Sequence, residues 1–189
     1  MRWIRHSSLE GTHAFLSASS HSWLNYSDEK LVQSYYSYLA KERGTRLHAL
    51  AAELINERIK LPENNTTFNM YVNDAIGFKL DTEVLLYFSE YCYGTADSIR
   101  YDEKNRFLRI HDLKTGTIPA SMDQLLIYSA IFFLEYDIDV KSTDVELRIY
   151  QNDDVLISNP SIDEIFPVMD KIISSDKVLQ NLRKDYNDE

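Results

Sequence analysis

Gly94-Thr95-Ala96-Asp97-Ser98-Ile99-Arg100-Tyr101, Asp102-Glu103-Lys104-Asn105, then Arg106-Phe107-Leu108-Arg109-Ile110-His111-Asp112-Leu113-Lys114 reads as strand, turn, strand. Aromatic and β-branched residues crowd both flanks, and the polar quartet between them suits a hairpin loop. With residues 102–105 as the loop, Tyr101 pairs with Arg106, and Asp97 falls opposite Ile110. Asp112 then lies two residues farther along. Side chains alternate with period two, so Asp97, Asp112 and Lys114 are expected on one face of the sheet. Diagonal neighbours on a face stand roughly 7–8 Å apart, a span that one divalent ion and longer side chains could bridge. A slip of one residue would turn Asp97 to the other face.

The reading extends outward from this hairpin. The whole segment Val84 to Tyr101 has strand character. Upstream, Ser17-Ala-Ser-Ser can cap a short helix through Trp23. Leu31, Tyr35, Tyr38 and Leu39 recur at helical spacing in a helix over Asp28–Glu42. Gly44 marks a break, followed by helices over Thr45–Lys60 and Phe68–Leu80. Downstream, Pro119 suits a helix start, and apolar residues continue through Phe133. Val145–Gln151 reads as a strand, and Asp163 to about Tyr186 as a final acidic helix. Helices, hairpin, helix, strand and helix in that order indicate an α/β (α+β) domain around a mixed sheet.

Two carboxylates around a hard cation suit Mg²⁺ or Mn²⁺, leaving positions for water and a phosphate oxygen. Lys114 could orient that water or stabilise charge building on phosphorus. An Asp-x-Lys by itself is commonly a surface ion pair, and a Gly-x-x-Asp is commonly a turn. Their joint occurrence in one hairpin, with matching face parity, makes a metal-dependent phosphodiesterase available from three residues. Gln124 and Tyr128 stand at i and i+4 on the following helix and share a face. They could hold a phosphate backbone or position the lysine; the plainer reading is a helix surface with a packed tyrosine. His48 lies opposite its helix's polar stripe, beside Ala52, Ile55 and Ile59. It is either a satisfied core histidine or a metal ligand.

Composition bounds the partners. A chain of 189 residues suits one domain with a substantial core. Its only cysteine, Cys92, excludes an intrachain disulfide framework or an iron–sulfur cluster held by four cysteines of this chain, and favours a reducing, cytoplasmic setting. No apolar run reaches 18 residues, and Met1-Arg-Trp-Ile-Arg-His6 lacks a leader's apolar stretch, so neither export nor a membrane partner is expected. The net charge of −10 runs against phosphate binding. The charge is uneven, however. Residues 1–134 carry 16 acidic and 14 basic side chains, against 14 and 6 in residues 135–189. Within the near-neutral part, Arg43, Arg46, Arg58 and Lys60 cluster, as do Arg100, Lys104, Arg106 and Arg109; either group could equally be a solvated surface.

The ordered set of His48, Gly94-x-x-Asp97, Asp112-x-Lys114-Thr-Gly and Gln124-x-x-x-Tyr128 resembles the RecB-type nucleases of the PD-(D/E)xK superfamily. His13-Ala-Phe-Leu-Ser-Ala-Ser-Ser-His-Ser-Trp-Leu24 and Arg43-Gly-Thr-Arg-Leu-His48 resemble the start of its phage- and prophage-encoded branch. The matches span about residues 13–151, with the motif core over 43–151 and an acidic helix over about 161–186. The resemblance implies a restriction-endonuclease-like core, a central mixed sheet flanked by helices, in a single nuclease domain over 1–189. It also implies His48, Asp97 and Asp112 as ligands of Mg²⁺ or Mn²⁺, helped by the Leu113 carbonyl. Lys114 would serve the attacking water, and Gln124 with Tyr128 would complete the site and touch DNA. The implied activity is a metal-dependent deoxyribonuclease, an exonuclease acting on DNA ends or single strands in phage recombination or replication, in the host cytoplasm. A phage annealing protein and a homo-oligomer are the implied partners. Several relatives carry an iron–sulfur cluster or a fused helicase; this chain has neither four cysteines nor a nucleotide-binding Gly-rich loop. The competing expectation is a nuclease-fold module that binds protein or imitates DNA through its acidic tail.

Overall fold

The structure, a computed structural model, describes residues 6–9 and 11–187. The stretch 1–5 read for a leader lies outside these, as do Asp188 and Glu189. The chain divides into two compact units, residues 1–45 and 46–189. Nearly all of the motif core falls in the second. One helix, α1 (Asp28–Asn56), replaces the two expected around Gly44. An interior glycine costs about 1 kcal/mol relative to alanine, which strong helix formers such as Lys41, Glu42, Leu47 and Ala51 offset.

In the first unit, Phe15 packs edge-on to Tyr35, with centroids 5.0 Å apart, and lies 5.4 Å from Tyr38. The serine run does not cap a helix through its hydroxyls. A 3-10 turn spans His21–Asn25 without a side-chain cap at Ser20, and the Ser17 carbonyl instead accepts from Trp23 Nε1.

The second unit continues with α2 (Thr67–Phe78), β1 (Asp81–Ser89), β2 (Cys92–Asp102), β3 (Phe107–Leu113), α3 (Asp123–Tyr136), β4 (Asp144–Gln151), β5 (Asp154–Ser158) and α4 (Ile162–Asn187). The five strands form one sheet in chain order. The β3–β4 pair is parallel, linked through α3, and the others are antiparallel. The fold is α+β, a mixed sheet flanked by helices, consistent with a restriction-endonuclease-like core.

Alternation along β3 and β4 divides the core in two. Leu108, Ile110, Val145, Leu147 and Ile149 pack with Leu125, Ile131 and Phe133 of α3 and Ile165 of α4. Leu113 and Tyr150 pack on the other face with Tyr71, Val72 and Ala75 of α2 and Ala51 and Ile55 of α1. Apolar residues alternate with polar ones along β4, Val145, Leu147 and Ile149 against Glu146 and Arg148, and Leu108 and Ile110 do the same in β3, a period of two that marks a strand. Among the described residues no helix is long and apolar enough to cross a membrane.

Four local expectations need correction. The run Val84–Tyr101 is two strands, β1 and β2, turning at Glu90-Tyr91. The β2–β3 register is displaced by two: Tyr101 pairs with Leu108, and Asp102 with Phe107. Asp102 accepts from the Asn105 N–H and Nδ2, and Arg106 takes a left-handed conformation, so the loop is 103–106. Helix α3 begins at Asp123, not Pro119, because Gln151 holds the intervening loop out of helix: its Nε2 donates to the carbonyls of Gly116 and Ile118, and its Oε1 accepts from the Ala120 N–H. Finally, β5 went unread. Asn152 and Asp153, both at positive φ, form the two-residue hairpin turn that such residues favour.

Candidate metal centre

A register displaced by two residues would set Asp97 opposite Asp112, but alternation along β2 is interrupted here. Ala96 and Ile99 both pack in the core beneath α3, so Asp97 turns to the α1 side, to His48, and does not share the face of Asp112 and Lys114 as expected. The β2–β3 ladder ends at Ser98↔His111, and Asp97 and Asp112 are the next residues on each strand. Beyond this point β2 continues only with β1. Asp97 reaches across the opening, where its Oδ2 accepts from the Leu113 N–H at 2.9 Å. The same oxygen lies 3.2 Å from His48 Nδ1 of α1. His48 is therefore neither a core histidine nor free; its partner is the Gly-x-x-Asp carboxylate.

Glu83 of β1 completes the cluster, and sequence reading missed it. His48, Glu83 and Asp97 each offer a ligand atom within 4.8 Å of the others, the one such group among the described residues. Glu83 sits at φ 53° in mid-strand, between the paired Thr82↔Ser98 and Val84↔Ala96. A left-handed non-glycine residue there is strained, and such strain collects at functional sites. Its isolated carboxylate in Asp81-Thr-Glu-Val carried no motif, and only the pairing of β1 with β2 brings it to Asp97.

Asp112 stands outside that close set, on the face of β3 that carries Leu108 and Ile110. It is 2 % exposed, and Lys114 Nζ donates to its Oδ1 at 3.2 Å. Its Oδ2 lies 3.0 Å from Nζ but off the hydrogen-bond direction, leaving a buried oxygen without a directed partner. Nζ also donates to Gln124 Oε1 at 2.6 Å, and Gln124 Nε2 donates to Tyr128 Oη at 3.1 Å. Thus the i, i+4 pair on α3 grips the lysine, and the lysine grips the aspartate. Gly94 has a steric role in this chain. A Cβ there would fall 2.8 Å from Tyr128 Cε1, so only glycine lets α3 lie this close to β2. Of the expected ligands, Leu113 contributes its N–H to Asp97.

Excess negative charge dominates the electrostatics. Burial, then the neighbouring Asp97, pushes the carboxyls of Glu83 and Asp112 above their usual range. The bond to Asp97 raises the His48 imidazole against a partial opposing effect of burial. Three carboxylates face one lysine and one imidazole.

No protein-family model matches the chain, and no curated protein is significantly similar to it.

The residues fit a divalent cation. The close set offers two carboxylates and one imidazole, donors that a divalent cation accepts without selecting one metal, and an oxygen of the adjoining Asp112 is buried without a directed donor.

Proposed function

We propose that the chain is a divalent-metal-dependent deoxyribonuclease, an exonuclease that hydrolyses phosphodiester bonds at DNA ends. The observation that carries this reading is the convergence of His48, Glu83 and Asp97 beside the Asp112–Lys114–Gln124–Tyr128 chain. His48, Glu83 and Asp97, with Asp112 adjoining, would hold Mg²⁺ or Mn²⁺, which when bound supplies Lewis-acid activation of a phosphate and a water of lowered pKa. Lys114 is the group placed to orient the attacking water and to balance charge on the phosphate oxygens. Gln124 and Tyr128 fix the position of Nζ through two hydrogen bonds, so little reorganisation is needed when charge develops. The Leu113 N–H fixes Asp97, and Gln151 fixes the loop between Lys114 and α3. Phage recombination or replication, with an annealing protein and a second copy of the chain as partners, is the setting that the ordered motifs favour.

The test is degradation of end-labelled linear duplex, single-stranded and covalently closed DNA with Mn²⁺, Mg²⁺ or EDTA, beside Asp112→Asn and Lys114→Ala. Metal-dependent loss of linear DNA that both variants abolish supports the reading. Intact DNA under every condition, from a protein that binds no metal, would leave the protein-binding module in its place.

A further inference from the structure

Past the end of β3, the β1–β2 hairpin projects as a two-stranded arm. Helix α3 covers one face of it, with Leu86 and Ala96 in the core and Tyr128 against Gly94. The opposite face carries Leu85 opposite Thr95 and Tyr87 opposite Tyr93. Tyr87 and Tyr93 are 48 % and 61 % exposed, with rings stacked at 6.3 Å between centroids and 26° between planes. Glu83 and Asp97 are the next residues inward on the two strands. This exposed strip therefore runs along the arm to the candidate metal centre. We infer that Tyr87 and Tyr93 form a stacking platform that holds the bases of single-stranded DNA leading into the His48–Glu83–Asp97 centre, making unpaired strands the preferred substrate. This deepens the nuclease reading and rests on it.

Spacing, charge and edge chemistry each favour that occupant. Asp97 lies four positions beyond Tyr93, about 13 Å at the strand rise. That is roughly four nucleotides stacked at about 3.4 Å each, and fewer when the strand is stretched. Carboxylates at Glu83, Asp97 and Glu135 and a net charge of −10 weaken attraction through phosphates, so affinity must come from the bases. Stacking on exposed aromatic rings provides it without regard to sequence. A duplex hides its base faces and gains nothing from the platform along its length. A protein strand is disfavoured at this edge, since the Tyr87 N–H is already taken by Glu135 Oε2 of α3 at 2.8 Å; blunting of this kind protects sheet edges from pairing.

The experiment measures fluorescence anisotropy of labelled 20-nucleotide single-stranded and duplex DNA in EDTA. Wild type runs beside Tyr87→Ala/Tyr93→Ala and Tyr87→Phe/Tyr93→Phe, with melting curves confirming that each is folded. The expected result is single-strand binding weakened about ten- to a hundredfold in the alanine pair. Duplex binding should stay within about twofold, and the phenylalanine pair should remain near wild type. Equal loss on both substrates, an unchanged single-strand affinity in the alanine pair, or no single-strand binding by wild type would overturn the inference. Cleavage in Mn²⁺ separates the two readings. Strands held by the tyrosines but never cut would remove the nuclease and leave the platform, whereas strands cut equally by wild type and the alanine pair would remove the platform and leave the nuclease.

Discussion

Gly94→Ala isolates the contact that seats the α3 side of the site. The new Cβ would lie 2.8 Å from Tyr128 Cε1, 3.5 Å from Oη and 3.6 Å from Cζ, where ordinary contact begins at 3.4 Å. The ring must therefore withdraw by about 0.6 Å, or β2 must bend. Overpacking of this kind costs about 1–3 kcal/mol, and each kcal/mol lowers Tm by ~2–4 °C in a chain of this size. The withdrawal also pulls Oη from Gln124 Nε2, at 3.1 Å, and so loosens the grip on Lys114. A displacement near 1 Å at a reacting group can cost about a hundredfold in rate, so a loss of some tens of fold is expected. The assay is a double-mutant cycle by urea unfolding, with Gly94→Ala measured in wild type and in Tyr128→Ala. The smaller side chain removes the clash, so the penalty should fall below about 0.5 kcal/mol in that background. A penalty that persists undiminished, or no penalty in wild type, would refute the steric account.

Further outcomes are expected around it. Glu83→Gln should weaken Mn²⁺ binding about tenfold or more in calorimetry, since affinity follows the charge of the ligand set, whereas Glu83→Gly should stabilise the metal-free protein by about 1 kcal/mol by relieving its positive φ. Gln151→Ala leaves three backbone groups of the 116–120 loop without their partner; hydrogen exchange there should accelerate, with about 1–3 kcal/mol lost. His111 is fully buried and held neutral by burial, reinforced by Arg148 and Arg109. Its lowered pKa means that the unfolded chain binds the proton first, so stability should fall as pH drops below about 6.5, by up to ~1.4 kcal/mol per pH unit. A His111→Gln variant should flatten that slope in denaturation curves taken between pH 7 and 5. Tyr150→Phe removes the hydroxyl that donates to Asp74 at 2.6 Å and lies 3.2 Å from His111 Nδ1, and should cost about 1–3 kcal/mol in thermal melts.

The sequence by itself determined the elements whose pattern is local. Aromatic and β-branched content identified β3 and β4, helical spacing identified the first part of α1, and parity along one strand put Asp112 and Lys114 together. The i, i+4 spacing of Gln124 and Tyr128 likewise sufficed for their partnership. Tertiary structure alone decided what depends on neighbours far along the chain. The two-residue displacement of β2 against β3 followed from Asp102 closing the loop and Arg106 adopting positive φ, neither of which periodicity can detect. Gly44 left α1 unbroken because its flanking residues outweigh one glycine. Glu83 became part of the site only through strand pairing, since a lone carboxylate in a strand has no local signature. His48 found Asp97 across 49 residues because α1 packs beside the point where β2 parts from β3. Local periodicity is set by backbone geometry and can be read from spacing, whereas the convergence of charged groups is set by packing and register, which distant residues control.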